Sequence, residues 1–297
     1  MSVVVVGAGI AGIACARELA AAGVAVQVRE RADRIGGRMC SPELDGRPVD
    51  LGAAYFTVRD DGFAGVVDGW RSRGLVRTWT DTLDVIENGT RGTAPGPMRW
   101  AAPGGLGGLV ADLATGLDVR LGHTVRSVEP GPLVDGEPTD AVVLAMPDPQ
   151  VGALVDAPAA RGREWRSVLA VAMRWRERVW APFPAAFVNG HPLLTSVADD
   201  GDRRGDGAPV LVAHATGGSP AEVVAAAREL LDLPEPESVH AHHWPHAAPV
   251  DGRDEPYLAG ADGIALAGDG WGSSRVETAW RSGSLLGRAL AQRLATG

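Results

Sequence analysis

The chain has 297 residues, 45% of them hydrophobic, and a formal net charge of −9. This length and apolar content suffice for one large domain or two intertwined domains with a substantial core. The acidic balance argues against nucleic acid or an anionic membrane as a main partner. All 28 basic residues are arginine, so the chain has no lysine to form a Schiff base or to bind phosphate in a P-loop.

The two cysteines, Cys15 and Cys40, have a spacing that suits neither a disulfide framework nor a metal site. The apolar N-terminal stretch lacks a preceding positive region, so we predict no signal peptide. No apolar run in the sequence reaches membrane-spanning length. We therefore expect a cytoplasmic protein with no membrane partner.

The first thirty residues carry the strongest signal. Four valines at 3–6 predict a buried parallel strand. Gly7, Gly9 and Gly12 follow at a spacing that permits a tight turn, a close approach to a pyrophosphate and close helix packing, respectively. An Ala-rich helix is predicted over 10–22, with its N-terminal amides directed at that pyrophosphate.

A second strand, predicted over 24–30, ends at Glu30, eighteen residues after Gly12. A carboxylate at this distance can accept hydrogen bonds from both ribose hydroxyls of an adenosine. Gly36-Gly37 then permits a tight backbone passage, and Arg38 can present a fork of donors to a phosphate. The order of strand, turn, helix, strand and acid predicts a dinucleotide-binding unit.

The middle of the chain alternates short elements with turns. We predict a short helix and strands over 60–99, a helix that begins near Leu106, a hairpin over 130–138 and a helix over 220–231 capped by Ser219. The stretch 199–207 is predicted to be a charged loop. The remaining predicted strands cover 118–121, 124–128, 140–145, 168–174, 209–215 and 264–267.

These segments resemble the flavin-containing amine oxidase superfamily, and within it the short renalase-like branch, over essentially the whole length. The marks are the glycine turn, Gly36-Gly37-Arg38, the stretch 50–57, the stretch 141–147, and Gly268-Asp269 followed by Arg275-Val276-Glu277. The resemblance implies an α/β fold. Its Rossmann-like FAD-binding domain is of the glutathione-reductase type, and a mixed α+β substrate domain on a largely antiparallel sheet is inserted into it.

The resemblance also implies roles for matched positions. Glu30 would hold the adenosine ribose, Arg38 would lie beside the pyrophosphate, and the Val125 backbone would pair with the adenine. Asp269 would bind a ribityl hydroxyl or phosphate, and the helix from Val276 would favour negative charge on the pyrimidine edge of the flavin. The implied cofactor contacts are Gly7, Gly9, Ile10, Ala11, Gly12, Glu30, Arg31, Gly37, Arg38, Ala53, Ala54, Val125, Gly268, Asp269, Arg275, Val276 and Glu277.

The FAD domain is predicted to comprise 1–57, 100–147 and 251–297, and the substrate domain 58–99 and 148–250. Relatives that attach their flavin covalently use a cysteine late in the chain, and this chain has none after Cys40. The resemblance therefore implies non-covalent FAD.

Candidate substrate contacts are Tyr55 and Phe56, whose matched segment crosses near the flavin, then Trp280 and His242. Arg174, Arg176 and Arg178 would alternate on one strand face and could anchor the phosphates of a substrate, but we favour a solvated edge. His240 and His242 would also share a strand face. No cysteine or paired carboxylate completes a metal shell there, so we predict no metal.

The resemblance to renalase-like enzymes implies oxidation of isomeric 2- or 6-dihydro-NAD(P), with oxygen as acceptor and hydrogen peroxide as product. Amine oxidation is the first alternative. With Tyr55 and Tyr257 as the only tyrosines and no lysine, the aromatic cage and lysine–water pair of monoamine oxidases cannot be copied whole. A flavin-binding protein without turnover is the second alternative. An NAD-dependent dehydrogenase is disfavoured because it would leave the Gly268-Asp269 segment without a role.

Overall fold

The computed structural model describes residues 1–296, which form two compact units. The first unit comprises Met1–Met39, Leu109–Trp165 and the chain from Ala248 onward; the second comprises Cys40–Gly108 and Arg166–Ala247. Relative to the predicted division, residues 40–57 and 100–108 belong to the second unit, and residues 148–165 and 248–250 belong to the first.

The helices and strands are numbered in chain order. The α-helices are α1 (Ile10–Ala21), α2 (Asp61–Ser72), α3 (Leu106–Leu113), α4 (Asp148–Gly152), α5 (Asp200–Arg204), α6 (Pro220–Leu231) and α7 (Val276–Thr296), with 3-10 turns at Gly37–Met39 and Pro158–Ala160. The strands are β1 (Ser2–Val6), β2 (Ala25–Arg29), β3 (Glu43–Leu44), β4 (Arg47–Pro48), β5 (Arg77–Glu87), β6 (Thr90–Ala101), β7 (Asp118–Arg120), β8 (Val128–Glu129), β9 (Leu133–Val134), β10 (Glu137–Pro138), β11 (Ala141–Leu144), β12 (Trp165–Arg174), β13 (Ala185–Asn189), β14 (Leu194–Asp199), β15 (Val210–Ala215), β16 (Ser238–Pro249), β17 (Leu258–Ala259) and β18 (Ile264–Leu266).

The first unit is built on a six-stranded sheet in the order β17-β18-β11-β1-β2-β7. Strand β1 lies in its centre and pairs in parallel with both β2 and β11, so that Val3 faces Val26 on one side and Ala141 on the other. Only the edge strand β17 runs antiparallel within this sheet. The predicted Rossmann-like architecture is confirmed, and the unbroken valine run is explained by a strand enclosed on both faces.

Helices α1 and α7 of the first unit pack against each other through glycines. A Cβ on Gly283 would overlap the Ala11 carbonyl, and a Cβ on Gly287 would lie 2.6 Å from the Cys15 carbonyl oxygen. Because any larger side chain would separate the helices, these two glycines set how closely the C-terminal helix approaches the first one.

The second unit is built on a seven-stranded sheet in the order β16-β12-β15-β14-β13-β5-β6. Its pairs are largely antiparallel, as predicted, with one parallel pair between β13 and β5. On one face Met173 and Leu211 pack with Val223 of α6. On the other face Ala172, which is smaller than Met173, packs with Leu51. The segment after β4 therefore lies against small side chains of the sheet.

The predicted charged loop over 199–207 is wrong, because this stretch contains the buried helix α5. Asp199 caps the helix by accepting a hydrogen bond from the Asp202 amide at 2.9 Å, and Gly205 ends it in the left-handed region at φ +79°. Arg203 is 1% exposed and pairs with Asp50 at 2.9 Å. Because Asp50 is far from Arg203 in the sequence, the residues around α5 reveal its charges but not that these charges are buried.

Four other local predictions have mixed outcomes. The strand predicted over 124–128 is reduced to β8, whereas the hairpin over 130–138 is confirmed as β9 and β10. The cap of α6 is confirmed, since Ser219 and Glu222 form a reciprocal capping box. Strand β12 ends at Arg174, so the predicted alternation of three arginines on one strand face is wrong; Arg174 pairs with Asp45 at 3.0 Å.

None of the helices within residues 1–296 has both the length and the apolar character that crossing a membrane requires.

Candidate functional site

The turn after β1 uses its three glycines for different reasons. Gly7 has φ +107°, and a Cβ there would lie 2.6 Å from the Ala145 carbonyl oxygen. A Cβ on Gly12 would overlap the Gly7 carbonyl. A Cβ on Gly9 would meet nothing within 4 Å. Two glycines are therefore required by packing, and the third borders open space where an extended ligand can approach the backbone.

The N-terminus of α1 opens at this same turn. Its N-cap is Gly9, which supplies no side-chain hydrogen bond, and the first turn contains no acidic residue. The first amides of a helix have no partner within the helix. The backbone amides of Ile10 and Ala11 are therefore available to donate hydrogen bonds to the anionic oxygens of a ligand.

Glu30 directly follows β2, at the carboxyl end of the parallel sheet. One carboxylate oxygen accepts a hydrogen bond from the Ala8 amide at 2.8 Å, and the other accepts one from the Ala32 amide at 2.9 Å. These bonds fix the carboxylate beside the glycine turn. Each oxygen can accept a further bond, so the geometry fits the predicted contact with ribose hydroxyls.

The second glycine pair runs alongside the first turn. The Gly36 amide donates to the Ala8 carbonyl at 2.9 Å, and Gly36 forms a parallel bridge with Gly9. Gly37 has φ +55°, and a Cβ there would lie 3.4 Å from the Gly9 Cα. The close backbone passage that the sequence predicts is therefore present, and it delivers Arg38 to the same region.

Arg38 and Asp269 form a two-pronged ion pair. Arg38 Nη1 and Nη2 donate to the two Asp269 oxygens at 2.8 and 2.5 Å, and the Ser274 hydroxyl also donates to Asp269 at 3.0 Å. Asp269 is 4% exposed and follows β18. The sequence predicts these residues as separate cofactor contacts; the structure joins them, so that the aspartate fixes the plane of the guanidinium.

A second ion pair, between the buried Asp148 and Arg253, is connected to the first through Trp165 and was not predicted from the sequence. The Arg38 guanidinium stacks over the Trp165 ring at 5.2 Å, and the Trp165 indole donates to Asp148 at 3.0 Å. Asp148 pairs with Arg253 at 2.5 Å, and Arg253 also donates to the Gly270 carbonyl at 2.9 Å. No local pattern joins Asp148 to Arg253, because their contact spans 105 residues.

The C-terminal helix begins at Val276, as predicted. The Gly268 amide donates to the Ser282 hydroxyl at 3.0 Å, which ties the end of β18 to this helix. Glu277 and Trp280 are both 7% exposed. Within the first unit, Val125 is a core residue that packs with β1 and β11, while Arg31 and Arg275 are exposed.

The remaining predicted contacts lie in the second unit, on the segment after β4. Arg203 donates to the Ala54 carbonyl at 2.7 Å. The Leu51 carbonyl accepts from the Trp244 indole at 3.0 Å and contacts His214 Nε2 at 3.1 Å. Burial lowers the pKa of His214, and the positive charge of Arg203 lowers it further. The hydrogen bond to the Leu51 carbonyl acts in the opposite direction. The segment that carries Ala53 and Ala54 is thus fixed by buried donors.

Tyr55 and Phe56 have different environments. Phe56 is 2% exposed and packs edge-to-face with Phe63 at 5.7 Å and with Trp70 at 6.1 Å. The structure therefore corrects its predicted role: the ring belongs to an aromatic core and has no face left for a substrate. Tyr55 is half-buried and packs against Trp79 at 6.0 Å.

His242 is exposed on β16, and its ring lies 4.0 Å from that of Trp244. His240 contacts Asp45 at 3.2 Å. Within the described part of the chain, no group of three or more His, Cys, Asp or Glu side chains is arranged to hold a metal ion.

The parallel sheet, the glycine turn beside Glu30 and the Arg38–Asp269 pair define a dinucleotide-binding protein. A family model for an NAD(P)-binding Rossmann-like domain matches residues 5–67, and one for flavin containing amine oxidoreductases matches residues 58–286. The chain therefore belongs to the flavin-containing amine oxidoreductase family, and its cofactor is FAD.

The chain is similar to segments of several curated oxidases. It is 50% identical over 54 residues to a probable polyamine oxidase 4 of Arabidopsis thaliana, covering 18% of this chain and 11% of that protein. It is 38% identical over 98 residues to the putrescine oxidase of Kocuria rosea, covering 32% and 20%. The matched segments therefore span a fifth or less of these relatives.

Solved structures show the same fold over the whole chain. A protein from Exiguobacterium sp. 255-15, described as a "Putative protoporphyrinogen oxidase", has a TM-score of 0.80 at 16% identity, covering 98% of this chain and 99% of that one. Putrescine oxidase bound to putrescine has a TM-score of 0.72 at 16% identity, with all of both chains covered. At this identity the likeness shows the fold alone.

Proposed function

We propose that the protein is an FAD-dependent oxidase that takes a hydride from a planar donor, of the isomeric 2- or 6-dihydro-NAD(P) type. In the balanced reaction the donor loses two electrons and one proton as a hydride. Oxygen gains two electrons and two protons, and the second proton comes from water. The products are the aromatic nicotinamide and hydrogen peroxide.

The observation that carries the FAD dependence in this proposal is the convergence of Glu30, the uncapped N-terminus of α1 and the Arg38–Asp269 pair in one unit. Glu30 would orient the adenosine end of FAD. The α1 amides and Arg38 would neutralise the pyrophosphate, and Asp269 would keep Arg38 in place. The isoalloxazine ring supplies the redox chemistry when FAD is bound.

Amine oxidation remains the second candidate because polyamine and putrescine oxidases are among the similar proteins. The absence of lysine from the sequence favours the dihydronicotinamide donor, because that reaction needs no lysine-assisted water. A flavin-binding protein without turnover is a third possibility, and the experiment below distinguishes all three.

The donor can be identified by anaerobic stopped-flow measurement of flavin absorbance. We expect rapid bleaching by borohydride-derived dihydronicotinamide isomers, then recovery of the yellow flavin and release of peroxide when air is admitted. Bleaching by putrescine or an amino acid, but not by the isomers, would assign amine oxidation. If no donor bleaches the flavin and the dithionite-reduced protein reoxidises slowly, the protein binds FAD without turnover.

We also expect FAD to be released by acid precipitation, because the sequence has no cysteine after Cys40, whereas relatives that attach the flavin covalently use a cysteine late in the chain. Cys15 is fully buried, and burial together with Glu18 raises the pKa of its thiol to about 12. The expected result is yellow supernatant and colourless pellet. A pellet that retains the flavin after trichloroacetic acid treatment would contradict non-covalent binding.

A further inference from the structure

Arg99, on β6, is a buried cation with few partners. The residue is 6% exposed. Its Nη1 reaches only the Pro97 carbonyl, at 3.5 Å, and its Nε has no hydrogen-bond partner among the described residues. No carboxylate within residues 1–296 forms an ion pair with it. Its Nη2 also makes no hydrogen bond there but is not among the fully enclosed polar atoms, so it can donate to a ligand.

A buried charge without a partner opposes folding strongly, and buried arginines are normally paired. Arg203 follows that rule by pairing with Asp50. Arg204 is also buried without an ion pair among the described residues, but its Nη2 donates to the Pro103 carbonyl and its other guanidinium nitrogens are enclosed, so only Arg99 keeps an accessible Nη2 without a partner. The unpaired state of Arg99 therefore calls for an anion that the described chain does not supply.

The surroundings of Arg99 are aromatic. Its guanidinium lies 5.3 Å from the centre of the Tyr55 ring, and Tyr55 packs against Trp79 with the rings tilted by 49°. The Trp79 indole donates to Asp202 at 2.7 Å, which fixes that ring. Both aromatic residues are half-buried, so each keeps part of its surface for a ligand.

The strand pairing around this cluster is irregular. The register of β5 and β6 shifts on both sides of Thr80, which faces Arg99, and the first shift leaves Trp79 as the extra residue. Bulges of this kind re-aim side chains and are frequent beside active sites. Gly96 lies on β6 opposite the second shift, which falls between Thr80 and Thr82. A Cβ on Gly96 would lie 3.1 Å from Arg99 Nη2, so glycine leaves room for the guanidinium.

We propose that Arg99, Tyr55 and Trp79 recognise a planar substrate that carries an anionic group, phosphate or carboxylate. This inference deepens the proposed function and rests on it. The aromatic pair would pack on the planar part, and the guanidinium fork would bind the anion in a low-dielectric setting. A diamine has no anion for Arg99 and would be repelled by it.

The test uses the FAD-bound protein and equilibrium binding by calorimetry. The probes are nicotinamide mononucleotide, which carries a phosphate, and nicotinamide riboside, which does not. Nicotinate tests carboxylate and putrescine tests a diamine. We expect Arg99→Gln to weaken mononucleotide binding about 10- to 100-fold, as for loss of a charged pair, and riboside binding by less than about threefold. Arg91→Gln, on the same strand but in an exposed pair with Asp84, should change neither.

Arg99→Lys keeps the charge without the fork and should give an intermediate loss, which guards against a misfolded Arg99→Gln variant. Mononucleotide and riboside binding equally well to the unaltered protein would overturn the proposal, as would equal losses of both in Arg99→Gln. Tighter binding of nicotinate than of the mononucleotide would assign the anion as a carboxylate. Absence of flavin bleaching by dihydronicotinamides would instead sink the proposed reaction and leave this binding result standing.

Discussion

Glu30→Ala should reduce FAD affinity about 100-fold or more. The carboxylate holds the Ala8 and Ala32 amides at 2.8 and 2.9 Å, and we infer that it also accepts both ribose hydroxyls. Two hydrogen bonds to a charged acceptor contribute roughly 1.5 kcal/mol or more each, which amounts to at least about a hundredfold in binding. Because the Ala8 and Ala32 amides would lose the carboxylate oxygens that accept their hydrogen bonds, the turn that receives the pyrophosphate should also loosen.

The measurement is a titration of apoprotein with FAD, followed by flavin fluorescence. Glu129→Ala is the matched control because it removes an exposed carboxylate from the same unit. Its affinity should equal that of the unaltered protein. An affinity for Glu30→Ala within about threefold of the control would show that Glu30 does not contact the cofactor.

Arg253→Met should destabilise the protein by about 3–5 kcal/mol, because it leaves a buried aspartate without its cation. Asp148 is 4% exposed, and Arg253 reaches it at 2.5 Å while also donating to the Gly270 carbonyl. Gly270 is next to Asp269, and Trp165 connects Asp148 to Arg38. The variant should therefore also bind FAD more weakly, although Arg253 itself is a positioning residue.

Urea unfolding of the apoprotein measures the stability effect. Arg161→Met is the control, since Arg161 and its partner Asp156 are both exposed and the pair should contribute little. Adding Asp148→Asn to Arg253→Met should recover part of the loss, because the uncompensated charge is removed. Equal small effects of Arg253→Met and Arg161→Met would refute the assigned role of the buried pair.

The glycine turn and Glu30 of the first unit can be predicted from the sequence because their signals are local. The spacing of Gly7, Gly9 and Gly12 is fixed by contacts within one turn, and Glu30 follows from the length of one helix and one strand. The pairing of Arg38 with Asp269 joins residues 231 positions apart. The two residues are visible in the sequence, but their contact depends on where β18 joins the sheet.

The candidate substrate residues show a second limit of sequence reasoning. Tyr55 and Phe56 are adjacent, and neighbouring side chains of an extended segment point to opposite sides. The sequence contains no signal that decides which of the two faces the core. Arg99 was not predicted at all, because a single arginine in a strand is ordinarily solvated, and its burial follows from the irregular pairing of β5 with β6.

The glycine contact between α1 and α7 has a consequence for biosynthesis. Helix α1 finds its close-packed partner only when the region around Gly283 and Gly287 has left the ribosome. Likewise, β1 cannot pair with β11, nor β11 with β18, until the later strand has been synthesised. Such distant pairings slow folding. During synthesis the first unit therefore stays incomplete, with its apolar centre accessible to chaperones, until β18 and α7 have been made.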